Sequence, residues 1–342
     1  MEKREVSSFR FLSFSSGVLL FLFLLLAFPL SGQAKTALMF YTSVPANVIT
    51  PIIEQFNKKN PDIDLQKFRA GTNKIVLKVK TDLQSTGKVQ ADLIWVADPA
   101  YFMDLKSQGL LLKYASPKAG GIPAVYKDPD GYFTAGRILN MGITYNTNLV
   151  KAGEAPRDWT DLLDPKWKGQ IGMPDPHYSG STLDTVEALS SKYGWDFFKK
   201  LRKNGLIVIK GSSGTVRKVA GGDVKLAIAL DFITRKIAAK GSPLGFNYPK
   251  SGAVSIASPV AIIGTTKHPA EAKRFIDFIL SDEGQKAVVE VGRLYAVNPC
   301  FAPPKGAPPF KGIAKKALPI NWENIKKNRD KIIKRFADIV QK

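Results

Sequence analysis

The stretch QIGMPDPHYSGSTLDTVEALS, residues 170–190, joins an apolar run to an amphipathic helix through a loop of hydroxyl groups and glycine. The apolar run predicts a strand, two prolines end it, and apolar residues then recur at helical spacing. The first N–H groups of a helix have no partner within the helix, and the helix dipole favours negative charge there. The stretch therefore indicates an anion-binding helix start. An ordinary serine N-cap is the structural alternative.

The same arrangement recurs about thirty residues later, where the strand predicted at 206–209 leads through the turn 211–215 into another helix. Backbone N–H groups and hydroxyls in such turns are charge-assisted donors to phosphoryl oxygens. Two turns of one type make an anion site a stronger hypothesis than either turn alone. The candidate ligand-binding residues in the two turns are Ser179, Gly180, Ser181, Thr182, Ser213, Gly214 and Thr215.

Strands and helices alternate along the first part of the chain. Apolar runs at 36–42, 63–68 and 91–96 predict strands, and helical patterns follow each of them. This alternation favours an α/β fold with a mostly parallel sheet. Ligands of such sheets lie at the carboxyl ends of strands. The polar residues at those ends are Thr42, Ser43, Thr72, Asn73 and Asp98.

Two long extended segments, 134–145 and 254–263, carry no helical period. We interpret them as crossings between two lobes. The predicted N-terminal lobe is then discontinuous, with residues 35–135 and 260–342, and residues 136–259 form the C-terminal lobe. Arg137 lies in the first crossing, where it either reaches the cleft or forms an ion pair inside one lobe.

Residues 1–34 have the three parts of a secretory signal peptide. Basic residues precede the apolar run 18–30, and small residues follow it up to Ala34. We expect cleavage after Ala34 and release into the periplasm, with an uncleaved membrane anchor as the alternative. No cysteine follows the cleavage site directly, so this position gives no support for a lipid anchor.

The chain of 342 residues has a formal net charge of +21. Such a charge attracts anions of every kind. However, the lysines are dispersed and no aromatic-basic array marks a nucleic-acid module, so no nucleic-acid partner is predicted. The single cysteine, Cys300, excludes an intramolecular disulfide, and the two histidines form no zinc motif. We predict no metal and no cofactor.

Several segments resemble the periplasmic solute-binding proteins of ABC importers. The run 267–286 carries the general resemblance, and 91–95, 109–111 and 163–169 narrow it to the branch that binds ferric ions and phosphonates. The resemblance implies a two-lobed type II periplasmic binding fold that closes on a small ligand. It also implies a monomer that delivers this ligand to an ABC permease in the inner membrane, and a chain that is not an enzyme.

Ferric relatives use a tyrosine pair after a C-lobe strand, where this sequence has Asp231 and Phe232. Their histidine after the first strand falls near Pro45, and their glutamate after the third falls near Ala97. The usual iron ligands are thus absent in this alignment, which weakens the ferric reading. Iron with an accompanying anion remains the alternative, because other tyrosine donors are present: Tyr41, Tyr145, Tyr178 and Tyr248.

The resemblance implies that the loop at Ser179–Ser181 holds an anion in relatives. The leading hypothesis is therefore a small phosphonate or organophosphate ligand. Asp231 is expected either to face the other end of this ligand or to cap the following helix. No catalytic motif accompanies Ser179 and His177, so an enzyme is not favoured. An adhesive or structural secreted protein is the remaining class.

Overall fold

The computed structural model describes residues 34–342. Nine strands lie within these residues: β1 Thr36–Thr42, β2 Ile63–Arg69, β3 Leu93–Trp95, β4 Thr134–Asn146, β5 Ile171–Pro174, β6 Ile207–Ile209, β7 Leu226–Leu230, β8 Leu244–Asn247 and β9 Val254–Ile262. The α-helices of the same region are α1 Ala46–Lys59, α2 Thr72–Thr86, α3 Pro99–Ser107, α4 Gly180–Tyr193, α5 Asp196–Lys203, α6 Ser212–Gly221, α7 Asp231–Ala238, α8 Pro269–Leu280, α9 Asp282–Glu290, α10 Phe310–Ala314 and α11 Trp322–Val340. The predicted leader lies outside the described residues, apart from Ala34.

The strands form one hydrogen-bonded path in the order β2-β1-β3-β9-β4-β7-β5-β6, with β8 paired to β4. β1 is parallel to β2 and β3 at one end, and β5 is parallel to β6 and β7 at the other. The pairs made by β4 and β9 are antiparallel. The prediction of parallel pairing is therefore correct at each end of the sheet. It is wrong for the crossing strands, which pair antiparallel with their neighbours.

β4 and β9 are the two long extended segments of the sequence, and they connect the two ends of the sheet. The first half of β4 pairs with β9, and its second half, from Met141, pairs with β7. The register shifts between Ala135 and Arg137, so Gly136 is the extra residue of a β-bulge. Pro259 lies opposite Ala135 beside this bulge, where a strand tolerates a residue without an N–H group.

The helices cover the sheet through apolar stripes at helical spacing. In α1, Val48, Ile52 and Phe56 are fully buried, and Phe56 packs edge-on against Phe275 of α8. α4 is different, because every residue from Gly180 to Leu189 is buried, including its polar ones. A helix buried all round lies inside the molecule rather than on its surface, and α4 begins at the candidate site.

The C-terminal helix α11 contacts α3 as well as α4 and α5. Phe336 packs edge-on against Phe198 of α5, while Arg329 pairs with Asp98 beside α3. The sequence predicts that residues 260–342 belong to the N-terminal lobe, and this boundary stays a prediction. Helix α11 packs on helices from both predicted lobes. No helix among residues 34–342 has the length and apolarity that a membrane crossing requires.

Candidate binding cleft

A cavity of about 430 Å³ lies between the two predicted lobes. Its lining comes from the ends of β1 and β2, the bulged start of β4, the loop before α4, and the loop before α6. The residues that line it are Ser43, Pro45, Arg69, Ala70, Gly71, Thr72, Lys74, Ala97, Arg137, Leu139, Tyr178, Ser179, Gly180, Ser181, Lys210, Gly211, Ser212, Ser213, Gly214, Arg217, Leu230, Phe232 and Ile233.

Helices α2, α4 and α6 are among the helices that begin at this cavity. Their N-caps are Gly71, Ser179 and Gly211, and the two glycines offer no side chain to the first amides of α2 and α6. Gly211 has φ of 74°, a conformation that glycine adopts without strain. Unpaired amides and the positive ends of three helix dipoles therefore surround the cavity, which favours an anion.

The serines of the two predicted loops meet on one side of the cavity. The Ser179 Oγ lies 3.1 Å from the Ser181 Oγ and 3.2 Å from the Ser212 Oγ. It also accepts from the Thr182 N–H at 3.3 Å and so caps α4. The two loops that the sequence predicts as anion sites are thus neighbours in the structure. Ser179, Ser181 and Ser212 form a cluster of hydroxyl groups, the serine cluster.

Among the described residues that line the cavity, Arg137 is the one buried cation, with 1% of its surface exposed. Its Nε donates to the Ser258 Oγ at 3.2 Å and its guanidinium lies 5.2 Å from the Trp95 ring. Its NH1 has no hydrogen-bond partner within the described residues. Burial, with the nearby charge of Arg69, lowers the pKa of Arg137 to about 9, so the side chain is still charged at neutral pH.

The remaining charges around the cavity are also positive, and none of its described lining residues is a carboxylate. Arg69, Lys74, Lys210 and Arg217 are exposed at its rim. Within residues 34–342, neither these side chains nor Arg137 forms an ion pair. Sequence analysis did not predict the four rim cations as site residues. The one sequence feature that pointed to any of them is the position of Lys210 directly before a glycine-serine turn.

Three predicted site residues, all threonines, lie beside the cavity without lining it, and two of them bind backbone carbonyl groups through their hydroxyls. Thr42 Oγ1 donates to the Trp95 carbonyl at 2.9 Å, and Thr215 Oγ1 donates to the Gly211 carbonyl at 3.1 Å. Thr182 is fully buried and its Oγ1 has no partner among the described residues. Ser43, by contrast, lines the cavity with a buried and unpaired Oγ.

Asn73 and Asp98 belong to a polar cluster at the contact between the predicted lobes. Asn73 donates to the Pro176 carbonyl at 2.6 Å and accepts from Arg329 at 3.2 Å. Asp98 caps α3 through the Tyr101 N–H and pairs with Arg329. Their side chains thus hold neighbouring elements together, and neither residue lines the cavity.

Asp231, which was expected either to face the ligand or to cap the following helix, does not line the cavity, although its neighbours Leu230 and Phe232 do. Its buried carboxylate accepts from the Phe232 N–H at 2.6 Å, and from Asn140, Arg235 and Tyr248 at 2.9 to 3.1 Å. Burial and this carboxylate raise the pKa of the Tyr248 phenol. Phe232 lines the cavity and Asp231 does not, because successive residues at the start of α7 point in different directions.

The tyrosines considered as iron donors are mostly engaged elsewhere. Tyr41 donates to Asp82 at 2.8 Å and Tyr248 to Asp231 at 2.9 Å, and of the four only Tyr178 lines the cavity. Within the described part of the chain, no group of three or more histidine, cysteine, aspartate and glutamate side chains is arranged to hold a metal ion.

A family profile described as bacterial extracellular solute-binding protein matches residues 89–328. The chain belongs to this family. Binding proteins of the family deliver small ligands to ABC permeases, so this chain is an extracytoplasmic solute-binding protein of the ABC transporter type, in a family of transport rather than catalytic proteins.

The names of sequence relatives of this solute-binding protein refer to different solutes. It is 25% identical over 266 residues to the phosphoglycerate transport regulatory protein PgtC of Salmonella typhimurium, covering 75% of this chain and 65% of that one. It is 24% identical over 218 residues to a putative 2-aminoethylphosphonate-binding periplasmic protein of the same organism, covering 59% and 61%. It is 27% identical over 190 residues to the major ferric iron-binding protein of Neisseria meningitidis, covering 52% and 56%.

Solved structures confirm the predicted two-lobed type II periplasmic binding fold. The periplasmic binding protein AfuA from Actinobacillus pleuropneumoniae, with fructose-6-phosphate bound, matches with a TM-score of 0.80 at 24% identity, over 90% of this chain and 99% of that one. Iron-bound HitA from Pseudomonas aeruginosa matches with a TM-score of 0.77 at 20% identity, over 89% and 99%. Both neighbours share the fold, and their ligands differ.

Proposed function

We propose that this protein captures a small phosphorylated or phosphonate anion in the periplasm and delivers it to an inner-membrane ABC permease. The observation that carries the proposal is the cavity lining: three helix N-termini, a serine cluster and five cationic side chains, with no carboxylate among the described lining residues. Amides, hydroxyls and guanidinium groups are the donors that phosphoryl oxygens require.

The same lining argues against ferric iron as the solute. Five positive side chains repel a trivalent cation, and hard metal ions need oxygen ligands that carry negative charge. Tyr178 is the one phenol at the cavity, and Lys210 lies 5.2 Å from the centre of its ring. The names of the phosphoglycerate and aminoethylphosphonate relatives agree with an organophosphate, while the ferric relatives define the alternative.

Calorimetry on the protein expressed without residues 1–34 tests this proposal. We expect binding of at least one member of a panel containing glycerol 3-phosphate, 3-phosphoglycerate, fructose 6-phosphate and 2-aminoethylphosphonate, and no binding of glycerol, glycerate or fructose. Binding of ferric citrate alone, with bound iron measured by elemental analysis, contradicts the proposal. Mass spectrometry of the solute that copurifies with the secreted protein gives an independent check.

A further inference from the structure

The buried guanidinium of Arg137 carries a charge that no group of the described protein neutralises. Its exposed fraction is 1%, its NH1 has no hydrogen-bond partner among residues 34–342, and the nearby charged side chain that lowers its pKa, Arg69, is also positive. A buried charge without an opposite charge is costly, so buried charges in proteins are normally paired. The four rim cations raise this problem less, because they are exposed.

The β-bulge at Gly136 explains how Arg137 comes to line the cavity. The extra residue re-aims the strand at its crossing between the lobes. A side chain at position 136 would collide with Trp95, since a Cβ atom built there lies 2.8 Å from its ring. The Ser258 hydroxyl, which accepts from Arg137 Nε, itself donates to the Val96 carbonyl at 2.8 Å. The guanidinium is therefore anchored through the Ser258 hydroxyl to the backbone of Val96.

The donors around the cavity come from two different parts of the chain. One group is the serine cluster with the starts of α4 and α6, accompanied by Lys210 and Arg217, all from the C-terminal lobe. The other is Arg137 in the crossing strand, with Arg69 and the unpaired Ser43 Oγ from the N-terminal lobe. Apolar side chains, among them Leu139, Leu230 and Phe232, complete the lining.

We infer that the solute carries two anionic groups on a short carbon skeleton, a phosphoryl group for the serine cluster and a carboxylate or second phosphoryl group for Arg137, Arg69 and Ser43. This inference rests on the proposed function and narrows it. An ammonium group on the solute is disfavoured, because no carboxylate among the described lining residues would receive it. Asp231, for which the sequence allowed a place at the other end of the ligand, is held by four donors of the protein itself.

Matched pairs of probes isolate the second anionic group. 3-Phosphoglycerate differs from glycerol 3-phosphate by a carboxylate in place of a hydroxymethyl group. Fructose 1,6-bisphosphate differs from fructose 6-phosphate by one phosphoryl group. In at least one pair we expect the doubly anionic member to bind about 10- to 100-fold more tightly, the range that one or two charged hydrogen bonds provide. We expect 2-aminoethylphosphonate to bind more weakly than every doubly anionic probe that binds.

Substitutions then assign the second anionic group to its partners. Arg137→Met and Arg69→Gln should each reduce the ratio of the two affinities in such a pair by about 10-fold, because binding of the doubly anionic member weakens. The affinity for the singly anionic member should change little. Arg69 is exposed, so its variant tests the inference even if the buried Arg137→Met protein does not fold. Arg202→Gln, on the exposed side of α5, removes the same charge away from the cavity and should leave the preference unchanged.

The outcomes separate the inference from the function on which it rests. In one outcome, the singly anionic probe of each pair binds as tightly as the doubly anionic probe, and Ser181→Ala weakens this binding. The proposed phosphoryl function then stands, and the two-anion inference is overturned. Tight binding of 2-aminoethylphosphonate overturns it as well. If no phosphorylated probe binds and ferric citrate does, the proposed function falls and the inference falls with it.

Discussion

Among single residues, Ser181 has the most direct expected contact with the solute. It is 2% exposed, lies in the first turn of α4, and its hydroxyl group is within 3.1 Å of the Ser179 hydroxyl at the cavity. In a closed cleft, water cannot replace a hydroxyl donor that is lost. The loss of affinity on removal of the Ser181 hydroxyl therefore tests whether the phosphoryl group binds at this position.

Ser181→Ala should weaken binding of the phosphorylated solute by about 1–3 kcal/mol, since a buried charged acceptor loses a donor. Isothermal titration calorimetry measures this loss. Ser85→Ala is a matched control, because Ser85 is exposed on α2 and its hydroxyl donates to carbonyl groups of its own helix. If the Ser181→Ala and Ser85→Ala proteins bind the phosphorylated solute equally tightly, the serine cluster does not bind the phosphoryl group.

Asp231→Asn should destabilise the fold and leave solute binding nearly unchanged. The carboxylate forms a buried ion pair with Arg235 at 3.0 Å. Breaking such a pair typically costs about 3–5 kcal/mol, because the remaining charge is left buried without a partner. Urea unfolding measures the loss of stability and calorimetry measures binding. A selective loss of affinity with unchanged stability would restore Asp231 as a ligand residue.

At the scale of elements, the close approach of two helix starts decides whether the cleft can close. A Cβ atom built on Gly71, before α2, lies 2.2 Å from the Tyr178 carbonyl oxygen, and one built on Gly180 lies 2.8 Å from the Thr72 side chain. Gly71 has φ of −64°, which any residue adopts, so only the approach of the other lobe requires glycine there.

Gly71→Ala should therefore weaken solute binding at least about 10-fold, because the methyl group keeps the two helix starts apart and the closed state loses stability relative to the open one. The melting temperature of the solute-free protein should change little. Gly120→Ala is the control, since a Cβ atom there has no neighbour within 4 Å. An unchanged affinity would mean that the closed cleft tolerates a wider separation of α2 and α4.

α4 also carries a buried carboxyl group with no hydrogen-bond partner. Both Asp184 oxygens lack one within the described residues, and the charged groups acting on it are Asp98 beside α3, Arg329 of α11 and Glu187 of its own helix. Burial, and next the negative charge of Asp98, raise the pKa of Asp184 well above its ordinary value. In the unfolded chain the same group ionises near pH 4.

The folded protein thus holds a proton on Asp184 that the unfolded chain releases, so this group lowers stability progressively as pH rises above about 4. Asp184→Asn removes that dependence. Its free energy of unfolding should match that of the unchanged protein near pH 4 and exceed it increasingly as pH rises from there towards the raised pKa of Asp184, measured by urea titration at each pH. The exposed Asp196, whose pKa is lowered by Lys199, provides the control, and Asp196→Asn should show no such increase.

For the whole molecule, the question is how the two lobes respond to the solute. In this structure the lobes touch through Gly71 and Tyr178, Thr72 and Gly180, and the bond from Asn73 to the Pro176 carbonyl. Each lobe supplies part of the cavity lining. A solute that contacts both parts stabilises the state that brings them together.

Small-angle scattering should accordingly show a smaller radius of gyration when the solute is saturating. The Gly71→Ala protein at saturating solute should contract less, because its lobes cannot reach the same contact. If neither protein changes, the cleft is already closed without solute or the probe is the wrong one, and calorimetry with the same sample distinguishes the two.

The sequence alone determined the order of the elements, the two long crossings and the paired glycine-hydroxyl turns. These features depend on periodicity and on local backbone chemistry, which residues close in sequence carry. It also determined the family resemblance, which the profile match confirmed, and the type of fold, which the solved structures share. The predicted leader of residues 1–34 lies almost wholly outside the described residues and stays a prediction.

Only the tertiary structure decided which polar side chains reach the cavity. Asp231 and Phe232 are adjacent in sequence, yet the carboxylate is bound inside and the phenyl ring lines the cleft. Arg137 lines the cavity because of a bulge opposite Pro259, and Arg69 and Lys210 come to it from strands far apart in sequence. Such placements depend on strand register and helix orientation across the whole sheet. No local pattern of residues encodes these long-range relations.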